Sequence, residues 1–105
     1  MWKRSGERCK KEVELMNFGE AIKELKNGKK VARKGWNGKD MWICLMPALY
    51  LESNKVNGRT KQHIGENTDL DCQPYIAMWT AKHKWQPGWL ASQEDILAED
   101  WEVVE

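Results

Sequence analysis

The run from Asn17 to Met46 leaves few folds open, because it spells a short capped helix and then, at once, a hairpin. Asn17 is an N-cap residue, and Phe18, Ala21, Ile22 and Leu25 follow at i, i+3, i+4 and i+7, one apolar stripe of an α-helix. Gly28 stands at the C′ position, and Lys23 and Lys26 meet the negative end of the helix dipole. Lys30 to Trp36 then alternates as a strand, with Val31 and Arg33 on one face and Ala32 and Lys34 on the other. Asn37-Gly38 is a hairpin dipeptide, and Met41 to Met46 returns as an apolar strand ended by Pro47.

The rest of the chain adds elements without a βαβ repeat. Tyr50 to Gln73 is punctuated by Asn54, Asn57-Gly58, Gly65 and Asn67, and is expected to be a loop with one short strand or an irregular hairpin. Pro74 opens a strand, Tyr75 to Thr80. Ala81 to Lys84 forms a turn, and Trp85-Gln86 begins a return strand. Pro87 and Gly88 break that strand, Ser92 caps a short helix with Asp95 at capping-box spacing, and Ile96 and Leu97 are expected to turn inward. Trp101 to Val104 closes the chain as a strand. The expectation is a small single α+β domain over 16–105, a mainly antiparallel sheet with an N-terminal amphipathic helix and a short C-terminal helix. Residues 1–15 are charged and without period, and read as a flexible N-terminal extension.

Charge and composition exclude several function classes. Seventeen basic against sixteen acidic side chains give a formal net charge of +1, which argues against a DNA or RNA binder that relies on bulk phosphate attraction. No apolar run approaches the length of a membrane span, and the first residues lack a secretory hydrophobic segment. Cys9, Cys44 and Cys72 are widely spaced with no CxxC pair, and read as reduced thiols of a cytoplasmic protein. Seven tryptophans are hard to bury in 105 residues, so some are expected to line a pocket or a subunit interface.

Candidate binding groups cluster around two of those tryptophans. Trp36 with Asn37 could stack on and read a base edge, or serve only as a cross-strand packing residue and a turn former. The helix start at Ser92 and Gln93 offers free backbone N–H groups and a positive dipole end, which suit a phosphate, with the Trp89 ring beside it. No GxSxG, Walker, HExxH or dinucleotide motif is present, and neither a catalytic set nor a metal-ligand set is expected. Cys44 or Cys72 with His63 or His83 could form a thiol–imidazole pair, but their spacing does not favour one. The chain does not read as an enzyme, and no cofactor is implied.

Three blocks, Met16 to Ile22, Gly28 to Lys39 and Trp89 to Trp101, closely resemble a phage and prophage family, the second type of Thoeris anti-defence protein. The resemblance covers roughly Met16 to Glu105 and weakens between Tyr50 and Gln73. Met16 falls where members commonly begin, while Trp42 and Trp79 are departures. What the resemblance implies is a nucleotide-signal sponge. Members bind cyclic ADP-ribose signals, glycocyclic ADP-ribose among them, hold them intact, and so prevent activation of the Thoeris effector in the bacterial host cytoplasm. They are homotetramers with pockets at subunit contacts, and some also take cyclic trinucleotides. On this reading Trp36 and Asn37 lie at the ribose or base end, and Trp89, Ser92 and Gln93 lie near the phosphates. Asp95 accepts from a ribose hydroxyl or adenine amino group, Tyr75 stacks, and Arg33 and Lys39 are the pyrophosphate cations. The rival readings are a sponge for cyclic trinucleotide signals of CBASS-type defence and a protein-binding inhibitor of a defence enzyme.

Overall fold

A computed structural model describes residues 14–105, so the extension expected over 1–15 lies, apart from Glu14 and Leu15, outside the described residues. Helix α1 spans Phe18–Lys26 and starts in a full capping box. The Asn17 side chain accepts from the Glu20 N–H, and the Glu20 carboxylate accepts from the Asn17 N–H, both at 2.9 Å. Gly28 follows the helix at φ 86°, a left-handed conformation that suits glycine. Strands β1 (Lys30–Arg33), β2 (Trp42–Met46), β5 (Tyr75–Trp79), β6 (Trp85–Pro87) and β7 (Trp101–Val104) form one five-stranded sheet in the order β6-β5-β2-β1-β7. Every pairing in it is antiparallel. Helix α3 (Gln93–Leu97) lies between β6 and β7 in the chain, and the α+β expectation holds.

The amphipathic stripe does its work against one face of this sheet. Ala21 and Leu25 of α1 are buried with Val31, Ile43, Met78 and Trp101, and Phe18, Ile22, Trp36 and Trp89 pack around them. Full burial of a side chain such as Leu25 or Ile43 stabilises by about 1.5–3 kcal/mol. The other face carries a cross-strand row in which Trp42 is paired with Trp79, and Trp79 with Trp85. Trp42 and Trp79 stack at 6.1 Å, His83 stacks on Trp79 at 5.9 Å, and the Lys30 ammonium lies 4.8 Å from the Trp42 ring centre.

Three local expectations change. The β1–β2 connection is not a two-residue turn: β1 ends at Arg33 and β2 begins at Trp42. Gly38 does not adopt the positive φ of a type I′ turn; instead a Cβ there would meet Met41 Sδ at 2.5 Å and Ala81 Cβ at 2.6 Å. Its smallness lets the loop tip approach the β5–β6 turn. Between Tyr50 and Gln73 the irregular-hairpin alternative holds, β3 (Leu49–Leu51) and β4 (Leu70–Cys72) pairing antiparallel as a second, two-stranded sheet, but that expectation lacks helix α2 (Gly58–Ile64), which lies between them. That helix shows no apolar period and is marked only by its cap, the Asn57 side chain accepting from the Thr60 N–H. Finally, Ile96 and Leu97 face outward, 45% and 76% exposed, because Asp95 takes the inward position of α3.

Candidate functional site

An ion-pair brace fixes the tryptophan-bearing loop between β1 and β2 to the C-terminal helix. Arg33, the last residue of β1, is paired in register with Trp101 of β7, which brings its side chain to the segment that carries Asp95 and Asp100. Its Nε donates to Asp100 Oδ1 at 2.8 Å and its Nη1 donates to Asp95 Oδ1 at 2.9 Å. The three side chains are only 13%, 14% and 27% exposed for Arg33, Asp95 and Asp100. In such surroundings charge-assisted hydrogen bonds are stronger than on an open surface.

The same carboxylate sets the Trp36 ring. Trp36 Nε1 donates to Asp95 Oδ1 at 3.2 Å. The ring meets Trp89 edge-on at 6.1 Å and Trp101 edge-on at 5.4 Å, and Trp89 meets Trp101 at 6.3 Å. Trp101 is fully buried and its Nε1 donates to the Asp95 carbonyl at 2.9 Å. Trp36 and Trp89 are half-buried, packed against the core.

The capping box of α3 closes on itself. Ser92 Oγ accepts from the Asp95 N–H at 3.1 Å, and Asp95 Oδ2 accepts from the Ser92 N–H at 3.3 Å. The first turn also holds Glu94. Its positive end is therefore already met by carboxylates, and the expected role of Ser92 in holding phosphate has to compete with that cap. Gln93 is exposed beside it.

Electrostatics follow the geometry. Burial alone would raise the Asp95 pKa, but hydrogen bonds from Arg33, Trp36 and Ser92 outweigh it and hold the carboxyl below its usual range. Asp100 is held low first by the hydrogen bond from Arg33, against a desolvation cost. Hydrogen bonds to Asp100 and then Asp95 keep the Arg33 guanidinium protonated still more firmly than usual. Arg33 is thus committed to two carboxylates, whereas Lys39 and Asn37 stand exposed on the 34–41 loop.

The candidate residues fall into two groups. Arg33, Trp36, Trp89, Ser92 and Asp95 are connected through hydrogen bonds and ring contacts, with Asn37, Lys39 and Gln93 adjoining them in the chain. Tyr75 is not among them. It pairs with Met46 at the far end of β2, while the 34–41 loop joins β2 at Trp42. There Tyr75 lines an apolar cavity of about 210 Å³ with Met46, Pro47, Ala48, Leu49 and Cys72. Among the described residues no hydrogen bond joins a cysteine to a histidine, and burial pushes the Cys44 thiol up in pKa despite Lys30 nearby. No three His, Cys, Asp or Glu side chains among the described residues converge as metal ligands, and no described helix is long and apolar enough to cross a membrane.

Two features escaped the sequence reading. The Trp42, Trp79 and Trp85 row could have been found from strand register once β2, β5 and β6 were aligned. The partnership of Asp100 with Arg33 had no local signal, since 67 positions separate them.

Fold and brace together define a class: a small α+β domain that presents a tryptophan on a loop locked to its C-terminal helix. The chain belongs to the Thoeris anti-defense 2-like family, whose sequence model matches residues 16–104. It is similar to Thoeris anti-defense 2 of Bacillus phage SP01, 40% identical over 89 residues that cover 85% of this chain and 94% of that protein.

Proposed function

We propose that this protein counters Thoeris defence by binding a cyclic ADP-ribose-type signal and holding it uncleaved inside the host cell, so that the effector is never activated. Family membership supports the anti-Thoeris role. The observation that carries the sequestration reading is the partly buried Trp36 indole, held by Asp95 beside Trp89. A pre-set aromatic surface loses little rotamer entropy on binding a flat base, which favours tight capture. Asn37 adds an amide that can donate and accept, and Lys39 supplies an exposed cation of the loop for a pyrophosphate. Arg33 and Asp95 act chiefly as the brace.

The reading includes a homotetramer with pockets at subunit contacts. Tyr75 and Trp36 lie at opposite ends of β2 in one chain, so a single pocket using both takes them from different copies. Leu90, just before α3, and Leu97, its last residue, are 93% and 76% exposed and provide apolar surface for such a contact.

The test is to incubate the protein with glycocyclic ADP-ribose, remove free ligand by filtration, denature by heat and identify what is released. Intact ligand is the expected product. Fragments would make the protein an enzyme, and ligand left in the filtrate would overturn the reading.

A further inference from the structure

Three consecutive residues, Arg33 at the end of β1 and Lys34 and Gly35 at the start of the 34–41 loop, are held by Asp100 through its carboxylate and its backbone carbonyl. Asp100 Oδ1 accepts from Arg33 Nε at 2.8 Å, the Asp100 carbonyl accepts from the Lys34 N–H at 2.9 Å, and Asp100 Oδ2 accepts from the Gly35 N–H at 2.8 Å. The next residue closes the turn, the Trp36 N–H donating to the Arg33 carbonyl at 3.2 Å. The chain therefore leaves the line of β1 by wrapping around Asp100. Gly35 is part of the same fit: a Cβ at this position would lie 2.7 Å from Asp100 Oδ2 and 3.4 Å from Arg33 Nη2.

We propose that Asp100 is a positioning residue for the ligand site, acting through Arg33 and the Gly35 N–H to set the loop path and the orientation of Trp36. The inference rests on the sequestration reading for its consequence, but its structural half stands without a ligand. Asp100 does not itself bond the Trp36 indole, whose N–H goes to Asp95. It works at one remove: the Arg33 fork reaches Asp100 with Nε and Asp95 with Nη1, and Asp95 holds the indole. Both ends of the fork are needed to fix a planar guanidinium, since one bond leaves it free to rotate about its stem. A connection of this length with its base released samples many conformations, and ordering it would then fall to the ligand.

The experiment follows the indole N–H resonances in ¹H–¹⁵N spectra, with Trp36 identified by the signal missing in Trp36→Phe. In Asp100→Asn one of the two acceptor oxygens becomes a donor, and in Gly35→Ala the carboxylate stays but is pushed away. Each variant is expected to shift the Trp36 indole signal and speed its exchange with solvent. The signals of Trp42, Trp79 and Trp85, on the other face, should hold still. Affinity for glycocyclic ADP-ribose should fall about tenfold or more in each, and the double variant should be no worse than the weaker single one, because both break the same contact. Asp100→Glu, with its carboxylate displaced by one methylene, should recover less than full affinity while keeping Arg33 paired. An unmoved Trp36 signal in folded Asp100→Asn overturns the proposal, and should that variant fail to fold, Gly35→Ala decides the same contact. If the wild type binds no cyclic ADP-ribose isomer, the functional reading falls alone, and the indole signals still decide the role of Asp100.

Discussion

Asp95 accepts a hydrogen bond from the indole of Trp36 across 59 residues of chain, at 3.2 Å, with the oxygen that also receives Arg33. One carboxylate oxygen thereby ties a loop, a strand end and a helix start together. Its other oxygen completes the cap of α3.

Removing that carboxylate should be costly. Asp95→Ala strips Arg33 and Trp36 of a mostly buried acceptor and opens the α3 cap at the same time. Loss of one partner from a buried pair costs about 3–5 kcal/mol, and the remaining solvent access here puts the expectation near the lower end. Urea denaturation should show it as a lowered midpoint with an unchanged slope. Stability within about 0.5 kcal/mol of wild type would mean the brace contributes little.

Acid should release the brace. Asp95 and Asp100 both have folded pKa values below the ordinary carboxylate value, so the folded chain binds these protons less readily than the unfolded one. Their contribution is complete above an unfolded pKa of about 3.9 and is lost as pH falls through the depressed folded values. The urea midpoint should therefore drop below about pH 4. An Arg33→Met variant should start lower at neutral pH and approach wild type as the carboxylates protonate. Parallel curves for the two proteins down to about pH 2 would contradict this.

What the sequence made legible was local. The α1 stripe and its Asn17 cap, the Tyr75–Trp79 strand and the Ser92–Asp95 box all lie within a few residues of their partners, and each is present. The orientation of α3 was not legible, because it depends on Arg33, 62 residues from Asp95. An apolar pair, Ile96 and Leu97, would ordinarily point inward, yet the charged side chain does so once a guanidinium is there to meet it. The hairpin turn failed for a similar reason. Asn37-Gly38 favours a tight turn, but Asp100 captures Lys34 and Gly35 first and the strand ends early. Helix α2 lacks the apolar spacing on which such readings depend. At the site, the neighbours Trp36 and Asn37 were visible as a pair, whereas Tyr75 could be placed away from them only after strand register was known.

Assembly offers a third check. Leu90 and Leu97 are exposed in one chain, so Leu90→Glu with Leu97→Glu should cost the fold within about 0.5 kcal/mol. If these side chains lie in a subunit contact, two buried charges should split the proposed tetramer. Light scattering coupled to size exclusion should then report a smaller species with an unaltered circular dichroism spectrum. An assembly of wild-type mass would remove this surface from the interface.

Trp36 separates stacking from bracing, because two substitutions remove different parts of it. Trp36→Phe keeps an aromatic face but deletes the N–H, leaving Asp95 Oδ1 with Arg33 alone. Asp95 retains its ion pair, so the stability loss should be about 1 kcal/mol, the scale of one net hydrogen bond. Trp36→Ala also removes the ring that packs on Trp89 and Trp101, and should destabilise by about 3 kcal/mol or more if the space does not collapse. A base stacked on an aromatic side chain gains about 1–3 kcal/mol, so the alanine variant should bind glycocyclic ADP-ribose roughly tenfold to a hundredfold more weakly. The phenylalanine variant should fall between it and wild type. Calorimetry at a temperature where all three proteins remain folded makes the comparison. Equal affinity in the three would confine Trp36 to the core and move the ligand elsewhere on the chain.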